Sequence, residues 1–206
     1  MYPLILNVDE IRRLNRDAAN VRCCELKKHW AWSLHYDLRL EYGGWLISFV
    51  LVDGPSCYAD ERRLAIRMPD HDPKYLVSER IIPKGKPGAG PTIVWDKGAW
   101  IVAPGYEDIP ACMRNGRLEF VFNNAKLRGK WVLQRRPGNA WRVENAEWDL
   151  IKQADEFARE RSMPDICVTD PNSVVSGRTV DDPDVGKKKP VQSASMLLPL
   201  EYPETA

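Results

Sequence analysis

In the stretch His29-Trp30-Ala31-Trp32-Ser33-Leu34-His35-Tyr36-Asp37-Leu38-Arg39-Leu40-Glu41, the residues from 34 onward alternate strictly. Side chains on a β-strand point to opposite faces in turn, so as a strand this segment puts Leu34, Tyr36, Leu38 and Leu40 on one face. His35, Asp37, Arg39 and Glu41 fall on the other. One face is core, and the other carries an imidazole, a carboxylate and a guanidinium in a row.

Working outward, short runs rich in Val, Ile, Trp and Tyr recur at 45–52, 63–67, 92–95, 99–103, 117–122 and 130–135, separated by Gly, Pro, Asn and Asp clusters. That spacing predicts an all-β middle, either an antiparallel barrel or a sandwich. Residues 145–161 read as a strand running into a helix. Residues 7–22, with Asn7 or Asp9 as cap, read as a short helix or N-terminal arm over 1–22. The main domain is expected over 23–164. Residues 165–206, rich in Pro, Ser and Asp and carrying Lys187-Lys188-Lys189, are expected to be a mostly disordered tail.

The 206-residue chain, 44% hydrophobic and 29% charged, suits one globular core. Its 30 Lys and Arg against 29 Asp and Glu give almost no net field, so nucleic-acid contact has to be local. Five cysteines without a C-x-x-C pair argue against a disulfide framework or a zinc ribbon and for a reducing cytoplasm. The N-terminal apolar patch is too short for a signal-peptide core or a membrane span, so neither secretion nor membrane embedding is expected.

Two of the chain's three histidines lie in the opening stretch, and the third, His71, stands in Pro69-Asp70-His71-Asp72-Pro73. Singly each has a bland account, as a structural histidine or a loop residue, and a mixed-charge row is common on the solvated side of a strand. Together, two imidazoles and a carboxylate suffice to hold a divalent metal with positions open for water or substrate. The set has no thiolate, which suggests Mn²⁺, with Zn²⁺, Co²⁺ or Fe²⁺ as alternatives. A metal polarises a phosphoryl oxygen while a forked guanidinium, here Arg39, holds other oxygens as negative charge develops.

These residues resemble the signature of the 3′-phosphoesterase domain of bacterial ATP-dependent DNA ligase D. Lys28-His29, five residues, then His35-Tyr36-Asp37-Leu38-Arg39-Leu40-Glu41 carry the likeness first. Gly54-Pro55-Ser56, Arg63-Leu64-Ala65, Asp70-His71 with Tyr75, Ile82-Pro83, Gly85, Gly88-Ala89-Gly90 and a Trp95-Asp96-Lys97-Gly98 turn follow in the family's order. Gly116-Arg117-Leu118, Lys126-Leu127-x-Gly129-x-Trp131 and Trp148-x-Leu150-Ile151-Lys152 with Asp155 complete it, so the likeness covers roughly 23–158.

The resemblance implies a small β-barrel with peripheral short helices. It implies metal ligation by His29, Asp37 and His71, with His35 and Arg39 at the scissile phosphate. It also gives Arg63 a role in phosphate contact and Tyr75 one in orienting the reacting oxygen. The implied reaction is manganese-dependent trimming of a 3′-terminal ribonucleoside from a primer strand, then removal of the 3′-phosphate to leave a 3′-hydroxyl. The expected partners are nucleic-acid 3′ ends and a separate ligase or polymerase, since the chain carries no ligase or polymerase motif and only conditions ends for joining.

The chain departs from the family at Asp53, where a Lys is usual, at Pro69, where an acid is common, and at Lys84 and Pro87. Asp53 and Pro69 favour a competing reading, a catalytically degenerate module that binds ends without turnover. A metal-free phosphodiesterase would need paired His-x-Ser/Thr motifs, which are absent. Trp30 and Trp32, between the two histidines, are candidates for stacking on a terminal base.

Overall fold

The computed structural model describes residues 21–76, 78–138 and 144–187. Its strands are β1 (Arg22–Trp30), β2 (Leu34–Tyr42), β3 (Trp45–Leu51), β4 (Arg62–His71), β5 (Arg80–Ile82), β6 (Gly90–Val102), β7 (Arg117–Asn124), β8 (Arg128–Arg135) and β9 (Glu147–Lys152). Pairing runs β1-β2-β3-β4-β9-β8-β7-β6, and β6 pairs back to β1, which closes an eight-stranded antiparallel barrel. β5 lies outside the ring, paired to the first residues of β6. The expected small barrel with short peripheral helices is therefore correct, and the sandwich alternative falls because no sheet edge is left between β1 and β6.

Alternation in the opening stretch decides which way β2 faces. Tyr36, Leu38 and Leu40 are 3%, 0% and 0% exposed and join Phe49, Trp95, Trp100, Phe120, Phe122, Trp131 and Trp148 in one core. Tyr36 meets Trp95, Trp100 meets Phe120, and Phe49 meets Trp148 edge to face. Burying a side chain of this size contributes roughly 1.5–3 kcal/mol. With the inner face filled by aromatics, the row His35, Asp37, Arg39 is forced outward.

Among the described residues two short α-helices decorate the barrel: α1 (Ile109–Asn115), capped by the Asp108 carboxylate and ended at Gly116, and α2 (Ile166–Thr169), capped by Asp165. The helix expected after Lys152 does not form. Asp155 instead accepts from the backbone N–H of Lys130 and of Phe157 and pairs with the Lys152 ammonium, which fixes a turn. The Trp95–Gly98 turn does not form either, because those residues lie inside the continuous β6. A register shift opposite Leu26 and Lys27 absorbs Trp95 as an extra residue and keeps its indole in the core.

The expectation of a disordered tail from 165 does not hold for 165–187. Ile166, Ser173, Val180 and Val185 are buried, Val174 N–H donates to the Val94 carbonyl, and Trp95 Nε1–H donates to the Asp170 carbonyl. The residues beyond 187 lie outside the described residues, as does the helix expected over 7–22 except at its end, where Val21 is not helical and Arg22 already begins β1. Among the described residues no helix is long and apolar enough to cross a membrane.

Candidate metal and phosphate site

β1 and β2 lie side by side with Glu25 opposite Arg39, Lys27 opposite Asp37 and His29 opposite His35. The outward row of β2 thus meets an outward row of β1. This face is not solvated: Glu25, Lys27 and His29 are 2%, 9% and 7% exposed. It is roofed by the chain between β4 and β6. Lys27 Nζ donates to Ser78 O and Oγ, both at 3.0 Å, and the Gly88 carbonyl lies 2.8 Å from His29 Nε2. Gly88 has φ of 71°, and a Cβ there would sit 3.2 Å from the His29 ring, so glycine is what lets the roof come this close.

The ligand atoms of His29, His35 and Asp37 all lie within 4.8 Å of one another, and the two imidazole rings are 4.8 Å apart. Tautomers follow from their partners, because a carbonyl only accepts. His29 Nε2–H donates to Gly88 O, so His29 Nδ1 turns its lone pair on Asp37 Oδ2, 3.5 Å away. Two acceptors facing each other in a buried site repel unless a proton or a metal ion is shared with them. His35 Nδ1–H donates to Ser33 O at 3.0 Å, leaving its Nε2 lone pair available.

His71, at the end of β4, comes to the same face but is not one of this close group of three. Its Nδ1–H lies 2.8 Å from Pro69 O and 3.1 Å from Ser48 Oγ, so its Nε2 also keeps a lone pair. A backbone carbonyl on the far nitrogen is the usual way a ligating histidine is oriented, and all three histidines have one. Burial and the nearby Arg39 guanidinium push the His71 pKa below its ordinary value, which keeps it neutral and able to ligate.

Burial raises the Asp37 pKa, but when a proton is shared between His29 Nδ1 and the carboxylate, that hydrogen bond and the Arg39 guanidinium outweigh it and hold the carboxyl below its ordinary value. Arg39 Nη2 donates to Asp37 Oδ1 at 3.1 Å, while its Nη1 is buried with no hydrogen-bond partner among the described residues. A buried guanidinium N–H without an acceptor is costly, and a phosphate oxygen would satisfy it.

Arg63 is placed differently. Its Nε and Nη2 donate to Glu61 at 2.8 Å and Asp165 at 2.6 Å, and Nη1 reaches the Asp53 carbonyl at 3.3 Å. Tyr75 ends the 3-10 turn Pro73–Tyr75, and its side chain lies outside the described residues. Sequence reading missed Lys27, the Gly88 carbonyl, Ser48 and Thr92, whose buried hydroxyl has no partner among the described residues and whose residue pairs with His29 across β1 and β6. A signal for Ser48 was available: it is the one polar residue in the run Trp45–Leu51.

The family description "DNA Ligase D 3′-phosphoesterase domain" matches residues 27–135. The chain is 36% identical over 169 residues to the multifunctional non-homologous end joining protein LigD of Pseudomonas aeruginosa, covering 82% of this chain and 19% of that protein. It is 31% identical over 137 residues to the protein of the same name from Mycolicibacterium smegmatis, 65% of this chain and 18% of that one. A third relative, the multifunctional non-homologous end joining DNA repair protein LigD of Mycobacterium tuberculosis, is 29% identical over 136 residues, 65% of this chain and 17% of that protein. The chain thus spans about a fifth of the length of the curated relatives it matches.

Proposed function

The chain belongs to the DNA ligase D 3′-phosphoesterase domain family, and from that premise we propose that it is a metal-dependent phosphoesterase of DNA 3′ ends. It removes 3′-terminal ribonucleotides, 3′-phosphates or both, leaving 3′-hydroxyls fit for joining in DNA repair. The observation that carries this reading is the buried facing of His29 Nδ1 and Asp37 Oδ2 beside an Arg39 N–H without an acceptor.

By the family resemblance His29, Asp37 and His71 would hold the metal, although the ligand atoms that lie closest together are those of His29, Asp37 and His35. A donor set of nitrogen and oxygen without sulfur suits Mn²⁺, with Zn²⁺, Co²⁺ or Fe²⁺ also compatible. When bound, such an ion polarises a phosphoryl oxygen and lowers the pKa of water. The protein's own part is positioning. Arg39 keeps Nη2 on Asp37 and gives Nη1–H to a non-bridging oxygen, where charge grows in the transition state. His35, its Nδ1–H held by Ser33 O, presents Nε2 to the leaving oxygen and, when protonated, supplies the proton as the P–O bond breaks. For a terminal ribonucleoside the leaving atom is its 5′-oxygen and a 3′-phosphate stays behind. For that phosphate the leaving atom is the 3′-oxygen of the strand. A separate ligase or polymerase partner fits this role.

The test is incubation with Mn²⁺ and a 5′-labelled primer-template ending in a 3′-ribonucleotide or a 3′-phosphate, beside a His29→Ala control. Shortened or dephosphorylated product that disappears in the control is expected. Retained end binding without product under any divalent metal would replace the enzyme by a binding module.

A further inference from the structure

The tip of the β1–β2 hairpin carries three exposed large apolar side chains. Trp32 is 102% exposed, and Trp30 and Leu34, paired across the hairpin, are 50% and 41% exposed. One exposed apolar side chain needs no explanation, but three grouped at one hairpin tip beside a polar site make an apolar patch of the kind that marks a contact surface. The mount is rigid. His29 pairs with His35 immediately below the tip, and a Cβ on Gly90 would lie 1.9 Å from the Trp30 carbonyl, so β6 packs directly against the hairpin.

We propose that Trp32 is a stacking platform for the base of the 3′-terminal nucleotide, held out of its duplex while its phosphate occupies the His35–Arg39 site. The inference rests on the phosphoesterase reading and adds which part of the substrate is gripped. Trp32 is three residues from both His29 and His35, so at a strand rise of about 3.3 Å per residue it stands roughly 10 Å from the cluster at most. That is within reach of the terminal nucleotide and its neighbour.

The roof over the cluster carries the exposed Lys84 and Lys86, with no carboxylate between Ile82 and Pro91. An open π surface, two mobile cations and a buried guanidinium match the base, the backbone phosphates and the reacting phosphate of one strand end. Every base has a π face, so such a platform tolerates any sequence. It also replaces the stacking that a terminal base loses on leaving the duplex. By alternation Trp30 lies on the hairpin face opposite His29, which makes it the internal control.

The test compares binding of primer-templates whose 3′-phosphate end bears either a normal or an abasic terminal nucleotide, in EDTA so that no turnover is required. Wild type should bind the base-bearing end about tenfold more tightly. Trp32→Ala should bring the two ends to within about twofold, Trp32→Phe should restore most of the difference, and Trp30→Ala should leave it intact. Equal binding of both ends by wild type, or full discrimination in Trp32→Ala, would overturn the platform. Discrimination by a protein that hydrolyses nothing in Mn²⁺ would instead retire the catalytic reading and leave the platform standing.

Discussion

Arg39 and Arg63 are the two arginines expected at the phosphate, and their surroundings are opposite. Arg39 lies on the roofed face of β1 and β2, bound to one carboxylate oxygen, with a buried Nη1 that has no acceptor among the described residues. Arg63 lies at the start of β4, with Glu61 and Asp165 each taking one of its N–H groups and the Asp53 carbonyl near a third. A guanidinium still holding an open donor can bind an incoming anion, whereas one already satisfied would have to break ion pairs first. Asp165 also caps α2, so Arg63 fastens the segment 165–187 to the barrel.

The largest expected effect separates these roles. Arg39→Ala should lower kcat on a 3′-phosphate end by about 10²–10³-fold with the fold intact, and Arg39→Lys should recover little, because an ammonium cannot fork between Asp37 and phosphate. Comparable turnover in wild type and Arg39→Ala would erase the distinction. Arg63→Ala should act on stability instead, lowering it by about 1–2 kcal/mol, since both ion pairs are partly solvated. Limited proteolysis should then cut within 165–187 while kcat of the folded protein falls less than tenfold. A collapse of kcat at unchanged Tm would restore Arg63 to the phosphate.

Between these two lies the roof. Gly88→Ala strains a backbone at positive φ and crowds the His29 ring, so Mn²⁺-dependent activity should fall by about tenfold with the barrel still folded. The smallest effect concerns pH. The Asp37 pKa is held below its ordinary value, so its stabilising contribution is present above the unfolded carboxylate range and is lost as pH falls through the depressed folded value. In the metal-free protein, Asp37→Asn should reduce the slope of Tm against pH below about pH 4 by less than one proton. A steeper acid limb in the variant would show that Asp37 is not held ionised by His29 and Arg39.

What the sequence disclosed depended on the distance over which a signal acts. Strand alternation is local, so residues 34–41 predicted both the core face and the outward row of β2. The apolar runs likewise foretold β3, β4, β7 and β8. The failures came where a distant or single contact decides the outcome. Residues 165–187 bury a few widely spaced side chains, Ile166 in the main core and Val180 and Val185 together against Ile93, and so sparse a set has no periodicity. The role of Arg63 at a phosphate stays a proposal, but its ion pair with Asp165, 102 residues away, is likewise beyond any local reading. At Asp155, one carboxylate capturing two N–H groups and the Lys152 ammonium overrode a plausible helical spacing. The site was legible as His29, His35, Asp37 and Arg39 on one hairpin, but not in its roof, because the Gly88 carbonyl and Ser78 become neighbours only when the loop folds back.

The central claim is that this hairpin face, completed by His71, holds a divalent metal beside an open guanidinium. Manganese binding followed by electron paramagnetic resonance addresses it most directly, on wild type and on His29→Ala, His71→Ala, His35→Ala and Arg39→Ala. One bound Mn²⁺ should be lost in the first two variants and kept in the last two. Undiminished binding in His29→Ala, or loss in His35→Ala with retention in His71→Ala, would contradict the assignment.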